Sequence, residues 1–196
     1  MCDLQRRSSD NRHLRVTWVG HSQLPNTHYD NFDGNILTIY KHSGGNMRDL
    51  DNPNSPLYPA LRVSADVFVL CLGGNDIFLP ASNGRFVHPD IIKGKLREVI
   101  RRAKQVASHV IVCLLEQRDY INHHNHRWAS NSDYYNKVAR AINRLLSRKA
   151  VSEGYRTINV HQRELKERKT DGVHFTNAGK KRLYYLVKRA VNYCTL

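Results

Sequence analysis

The segment Val67–Asp76, with the sequence VFVLCLGGND, joins a buried β-strand pattern to a glycine-rich turn. The apolar run Val67–Leu72 is short for a helix and is typical of a strand buried on both faces of a sheet. Two glycines end the run, and the polar pair Asn75 and Asp76 follows at once. Open parallel sheets bind their ligands beyond the carboxyl ends of the strands. The segment therefore predicts a parallel sheet with functional polar residues at that edge.

Further strand and helix patterns alternate along the chain. Short apolar or β-branched runs occupy Leu14–Val19, Ile36–Tyr40, His109–Leu115 and Tyr155–Val160. Apolar residues recur with helical spacing in Ile91–Val106, Tyr134–Val151 and Thr176–Asn192. The segment Arg48–Leu61 contains three prolines and is expected to be a broken helix or an irregular loop. We therefore predict an α/β fold with three α/β/α layers and a central parallel sheet of about five strands.

Composition limits the class of protein. The chain has 196 residues, 40% of them hydrophobic and 24% charged, which favours one globular domain over residues 14–196 after a flexible tail over residues 1–13. No apolar run approaches the length of a membrane-spanning helix, and the first residues lack the apolar core of a signal peptide. The four cysteines form no C-x-x-C pair, which favours a reducing compartment. We expect an intracellular protein, cytoplasmic or nuclear.

The charge balance is unusual. A formal net charge of +14 suggests an acidic partner, either nucleic acid or an anionic membrane surface. Basic residues cluster at Arg101-Arg102, Arg163–Lys169 and Lys180–Arg182, although solvated helix faces explain most of them. The sequence contains no zinc-finger spacing, aromatic RNP-type string or G-x-x-G clamp beside a basic helix. The charge by itself is therefore a weak indication of nucleic-acid binding.

Four loops contain the parts that hydrolysis by a serine requires. Such chemistry needs a nucleophile, a base, a group that orients the base, and donors for an oxyanion. These loops supply a serine, glycine N–H groups, an asparagine amide and an Asp/His pair, and they lie at Gly20–Gln23, Ser43–Asn46, Gly73–Asp76 and Asp171–His174. The histidine side chain is suited by its reference chemistry to act as a base near neutral pH, and Asp171 is close enough in sequence to orient His174.

In order and spacing, these loops resemble the four motif blocks of the SGNH (GDSL-type) hydrolase superfamily. The resemblance implies an SGNH or flavodoxin-like fold and Ser22 as the nucleophile, in Gly20-His21-Ser22. It also implies Asp171 and His174 as the orienting acid and the general base, through the D-x-x-H block. The oxyanion hole is then expected to consist of the backbone N–H groups of Ser22 and Gly44 and the side-chain amide of Asn75, in the G-x-N-D block.

The first block departs from the family, which usually has aspartate where this chain has His21. The replacement can alter hydrogen bonding in the loop, give Ser22 a second basic neighbour or bring His21 into contact with substrate. The G-x-S-x-G motif of the α/β-hydrolases is absent around Ser22, which disfavours that fold. Structural roles remain alternatives: Ser22 as a helix N-cap, Asp171 as a cap and His174 as a buried histidine. For Asp76, a cap of the turn is preferred over catalysis.

The polar stretch Arg118–Asn131 follows the predicted fourth strand on the same side as the other loops. Tyr120 and Trp128 are candidates for apolar walls of a substrate cleft. A zinc site is a further possibility, with Cys113 or Asp119 and three histidines as ligands: His123, His124 and His126. Their spacing matches no common zinc pattern. We expect neither a metal nor a cofactor.

The sequence thus predicts a serine esterase that hydrolyses small acyl esters, acetyl-like or lipid, through Ser22, His174 and Asp171. The alternative is a weakly active or inactive module of the same fold that binds nucleic acid or anionic lipid through its basic surface. Esterase domains similar to this superfamily are associated with some eukaryotic retroelement proteins, and a strongly basic domain would fit that setting. Substrate identity and oligomeric state are not indicated by the sequence.

Overall fold

Five strands and three α-helices alternate in the described part of the chain. The structure, a computed structural model, describes residues 13–78, 87–118, 131–160 and 171–194. The strands are β1 (Arg15–Gly20), β2 (Ile36–Lys41), β3 (Ala65–Cys71), β4 (Ala107–Cys113) and β5 (Arg156–Ile158). The α-helices are α1 (Pro89–Val106), α2 (Ser132–Lys149) and α3 (Asn177–Asn192). Short 3-10 helices are formed by Phe32–Gly34, Met47–Leu50, Tyr58–Leu61 and Asn75–Phe78.

The strands form one parallel sheet in the order β2-β1-β3-β4-β5. The predicted sheet of about five parallel strands is therefore confirmed, as are the strand and helix positions to within a few residues. The segment predicted to be a broken helix or irregular loop contains two of the 3-10 helices, Met47–Leu50 and Tyr58–Leu61.

Side chains that alternate along the strands separate the core into two halves. In β3, Phe68 and Leu70 pack into the half that contains the apolar faces of α1 and α2. Their neighbours Val67 and Val69 point to the opposite half, which contains the apolar face of α3. Because successive side chains of a strand point to opposite faces, this division gives the three α/β/α layers predicted from the sequence.

The predicted flexible tail lies outside the described residues, except for His13. Its flexibility, and the assignment of residues 14–196 to one domain, therefore stay predictions. Among the helices that the structure describes, none is long and apolar enough to cross a membrane.

Candidate active site

The predicted loops meet at the point where the strand order reverses. β1 lies between β2 and β3, so the chain moves to one side of β1 for β2 and to the other side for the later strands. In doubly wound sheets this reversal opens a crevice at the carboxyl ends of the strands. Ser22, Gly44 and Asn75 each follow one of these three strands within a few residues. The fold therefore places the predicted nucleophile and oxyanion donors at one edge.

Asp171 and His174 form a hydrogen-bonded pair just before α3. The Nδ1 of His174 lies 2.7 Å from Oδ2 of Asp171, and Oδ1 accepts the backbone N–H groups of Val173 and His174, each at 2.9 Å. Burial raises the pKa of Asp171, but these hydrogen bonds and the imidazole outweigh it and lower the pKa to about 2. Asp171 is therefore ionised near neutral pH, and its bond leaves the Nε2 side of His174 to act as a base.

Gln23 connects the loop of Ser22 to the loop of His174. Its side-chain Nε2 donates to the carbonyl oxygen of Val173, and its Oε1 accepts the N–H of Phe175 at 2.7 Å. These two backbone groups bracket His174 on either side. The side chain of Gln23 is buried at 3% exposure, so both bonds are shielded from water. The amide therefore holds His174 at a fixed place relative to the loop of Ser22.

Ser22 lies in the turn after β1, where the N–H of Leu24 bonds to the carbonyl oxygen of His21 at 3.1 Å. Lys41, at the end of β2, donates to the carbonyl oxygen of Leu24 at 3.1 Å and fixes the far side of the turn. Within the described residues, neither the hydroxyl of Ser22 nor the Nε2 of His174 makes a hydrogen bond. Hydrogen bonds between catalytic groups are often long without substrate. The lack of a hydrogen bond between Ser22 and His174 is therefore compatible with a nucleophile and its base.

Gly44 and Asn75 belong to neighbouring loops that are bound to each other. The Nδ2 of Asn75 donates to the carbonyl oxygen of Gly45 at 2.9 Å, and Asp76 accepts the N–H of Met47 with both carboxylate oxygens at 3.2 Å. Gly44 has a φ of +73°, a conformation that glycine adopts without strain. Asp76 thus binds the loop after β2, a contact that differs from the cap of its own turn after β3 preferred from the sequence, and burial raises its pKa to about 6.

His21 lies behind the turn of Ser22, at 3% exposure. Burial lowers the pKa of His21 to about 4, although the nearby carboxylate of Glu116 opposes the shift. His21 and Glu116 line a small cavity of about 20 Å³, together with Cys71 and Cys113. The predicted contact of His21 with substrate stays a prediction. Its burial argues against that contact, since a ring this buried offers a substrate almost no surface.

Tyr120 and Trp128, the predicted walls of the cleft, lie outside the described residues, as do the three histidines of the zinc alternative. In the part of the chain that the structure describes, no group of three or more His, Cys, Asp or Glu side chains is placed to hold a metal ion.

Three residues that the structure brings to the site were not predicted from the sequence. Gln23 ties two loops together, and Glu116 and Arg118 form a buried ion pair beside Asn75. One signal for the pair was present: two charged residues directly follow the buried strand β4, at the edge where ligands bind. Gln23 gave no comparable signal, because its partners lie at the other end of the chain.

Comparison with known proteins places this geometry in a family. The sequence profile of the GDSL-like lipase/acylhydrolase family matches residues 17–182. No curated protein sequence matches the chain. Among solved structures, a GDSL-like lipase from Bacteroides thetaiotaomicron is similar with a TM-score of 0.66 at 20% identity, over 91% of this chain and 88% of that chain.

A carbohydrate acetylesterase from Sinorhizobium meliloti is also similar, with a TM-score of 0.66 at 13% identity, over 91% of this chain and 99% of that chain. An acetylxylan esterase from Geobacillus stearothermophilus has a TM-score of 0.57 at 16% identity, over 93% of this chain and 94% of that chain. At these identities the similarity shows a shared fold.

Replacement of Gln23 by leucine tests the connection between the two loops. Gln23→Leu leaves the Val173 carbonyl and the Phe175 N–H without their partner in a buried site, at a cost of about 1–3 kcal/mol for each group. We expect the free energy of unfolding in urea to fall accordingly. Gln105→Leu, at an exposed position of α1, is the matched control and should change stability by less than about 0.5 kcal/mol. Equal effects of the two substitutions would contradict this role of Gln23.

The buried His21 predicts a pH dependence of stability. Between pH 6.5 and about 4 the unfolded chain binds a proton on His21 that the folded protein excludes. The contribution of neutral, buried His21 to the free energy of unfolding is therefore complete above pH 6.5 and is lost as the pH falls towards about 4. We expect the parent protein to lose stability over this range relative to His21→Asn, measured by urea unfolding at several pH values.

Asp76 acts in the opposite direction over part of this range, because burial raises its pKa to about 6, but it is present in both proteins and cancels in the comparison. His109→Asn, at an exposed position of β4, should follow the parent. If the free energies of unfolding of the parent and of His21→Asn differed by a constant amount across this pH range, His21 would not titrate as a buried group.

Proposed function

We propose that this chain, which belongs to the GDSL-like lipase/acylhydrolase family, hydrolyses small acyl esters with Ser22 as nucleophile, His174 as general base and Asp171 as the group that orients His174. Family membership makes the protein an ester hydrolase of SGNH type; the three roles and the substrate are the proposal. The observation that carries it is the Asp171–His174 pair, fixed by Gln23 to the loop that contains Ser22.

In the first half of the reaction, Ser22 Oγ attacks the ester carbonyl carbon while Nε2 of His174 takes the hydroxyl proton. Asp171 stabilises the imidazolium that forms. The N–H groups of Ser22 and Gly44 and the amide of Asn75 donate to the oxyanion. The bond to the alcohol oxygen then breaks, the alcohol leaves with the proton from His174, and the acyl group stays on Ser22.

In the second half, a water molecule attacks the acyl group on Ser22 and gives a proton to His174. The carboxylic acid leaves, and the proton returns to Ser22 Oγ. His174 must cycle between its neutral and protonated forms in each half. An ionised Asp171 supports this cycle, since hydrogen bonding holds its pKa at about 2.

A small acyl group is the preferred substrate class. Two proteins of similar fold are a carbohydrate acetylesterase and an acetylxylan esterase, and a third is a GDSL-like lipase. We take acetyl-like esters from the first two and leave the alcohol open. We infer a supporting role for His21 behind the turn of Ser22 in preference to the predicted contact with substrate, because its ring is buried. The roles predicted for Tyr120 and Trp128 as cleft walls remain part of the proposal.

On α1, the pairing of basic side chains does not favour the alternative of a binding module, whereas the basic cluster Arg163–Lys169 lies outside the described residues. Several basic side chains of α1 are paired with carboxylates: Lys93 with Asp90, Arg97 with Glu153, Arg101 with Glu98 and Arg102 with Asp51. These pairs reduce the positive charge that this helix presents to phosphates. Binding to nucleic acid or to an anionic membrane, and a retroelement setting, stay predictions from composition.

The test of this function is the hydrolysis of a series of chromogenic esters from acetate to long acyl chains. We expect the highest kcat/KM for the shortest chains, and a loss of roughly 10³-fold or more in Ser22→Ala and in His174→Ala. Ser152→Ala, an exposed serine after α2, is the matched control and should keep the parent's rate. Parent-like hydrolysis by folded Ser22→Ala would refute the proposed nucleophile.

A further inference from the structure

Two opposite charges are buried directly after β4. Glu116 and Arg118 are 5% and 4% exposed. Oε1 of Glu116 accepts from Nε of Arg118 at 2.8 Å and from Nη2 at 2.7 Å. Burial raises the pKa of Glu116, but the guanidinium outweighs it and holds that pKa well below its usual range. Because removing two charges from water is costly, such a pair is weak evidence for stability and calls for another explanation.

The chain that carries this pair is fixed to α2 by two asparagine side chains. Asn143 accepts the N–H of Leu115 and donates to its carbonyl oxygen, both at 2.7 Å. Asn136 does the same for Arg118, at 2.9 Å and 2.7 Å. The two asparagines lie two turns apart on one face of α2. The backbone on both sides of Glu116 is thus bound to α2 by paired hydrogen bonds.

Arg118 reaches from this segment to the proposed oxyanion donor. Its Nη1 donates to Oδ1 of Asn75 at 3.0 Å. A guanidinium can only donate hydrogen bonds, so this contact fixes which end of the Asn75 amide is oxygen and which is nitrogen. One proton of Nδ2 then bonds to the carbonyl oxygen of Gly45, and among the described residues the second proton makes no hydrogen bond and can be donated to a ligand.

The G-x-N-D loop is shaped around this guanidinium. A Cβ at Gly74 would lie 2.7 Å from Nη2 of Arg118 and 2.9 Å from the hydroxyl of Tyr135. The guanidinium carbon of Arg118 also lies 4.9 Å from the centre of the Tyr135 ring, within cation–π distance. The absence of a side chain at Gly74 therefore makes room for Arg118 immediately before Asn75.

We propose that Arg118, held by Glu116, is a positioning residue that fixes the side-chain amide of Asn75 as a donor to the oxyanion. The inference rests on the proposed function, because it needs an oxyanion at Asn75. Arg118 acts in two ways: it prevents the amide from turning over, and its positive charge polarises the amide so that Nδ2 donates more strongly. Glu116 accepts hydrogen bonds from Nε and Nη2 and so keeps the planar guanidinium in the required orientation.

A double-mutant cycle tests this role. Asn75→Ala removes the donor, Arg118→Met removes the guanidinium, and the third protein contains both changes. We expect each single change to lower kcat for a chromogenic acetate ester by roughly 10²–10³-fold, the loss typical of one oxyanion donor, with KM much less affected. The double variant should be no slower than Asn75→Ala, because Arg118 acts only through that amide.

A purely structural role gives a different result. The two losses in kcat would then multiply in the double variant, and that outcome would overturn the proposal. Arg118→Lys keeps the charge but not the planar fork, and Glu116→Gln keeps the shape but not the charge. If Arg118→Met does not fold, either of these two variants replaces it in the cycle with Asn75→Ala. Both are expected to lower kcat without unfolding the protein. Arg101→Met, from an exposed ion pair of α1, should leave kcat unchanged.

Two controls separate this proposal from the proposed function. If Ser22→Ala hydrolyses the ester as fast as the parent, the proposed function fails and the inference fails with it. If Ser22→Ala and Asn75→Ala are both impaired but folded Arg118→Lys and Glu116→Gln have the parent's kcat, the function stands and only the role of Arg118 is overturned.

Discussion

The geometry of the site depends on the side-chain amide of Gln23, which joins the first loop of the sheet to the last. Its two hydrogen bonds span 150 residues or more of sequence and end on the backbone groups on either side of His174. Asp171 alone fixes the rotation of the imidazole ring, but it lies on the same loop as His174 and cannot set the distance of that loop from Ser22. The buried amide supplies this missing constraint, because neither of its partners can turn to water instead.

The same requirement, that buried polar groups must be paired, organises the other half of the site. Asn75 is bonded to Gly45 on one side and to Arg118 on the other, and Arg118 is in turn bonded to Glu116. This chain of contacts connects the segments that follow β2, β3 and β4. His21 lies at its end, beside Glu116, where the family usually has an aspartate. An acidic charge is thus still present near this position, but it comes from the segment after β4.

The fold could be predicted from the sequence because its signals are local. A run such as Val67–Leu72 identifies a buried strand by itself, and the parallel arrangement follows from the alternation with amphipathic helices. The motif residues were found because their order along the chain is that of the family. The contacts of Gln23, Glu116 and Arg118 could not be predicted in this way. Gln23 and Arg118 bond to residues distant in sequence. The Glu116–Arg118 pair is local, but a glutamine or a charged pair after a strand is equally compatible with an exposed loop.

The most direct measurement of the central claim is covalent labelling with a fluorophosphonate, followed by peptide mass spectrometry. This probe reacts with a serine that is activated by a neighbouring base, whatever ester the enzyme prefers. We expect one phosphonyl group per chain, located on Ser22 and formed far more slowly in His174→Gln. Folded protein that takes up no label at Ser22, or that is labelled there equally fast without His174, would contradict the assignment of this pair.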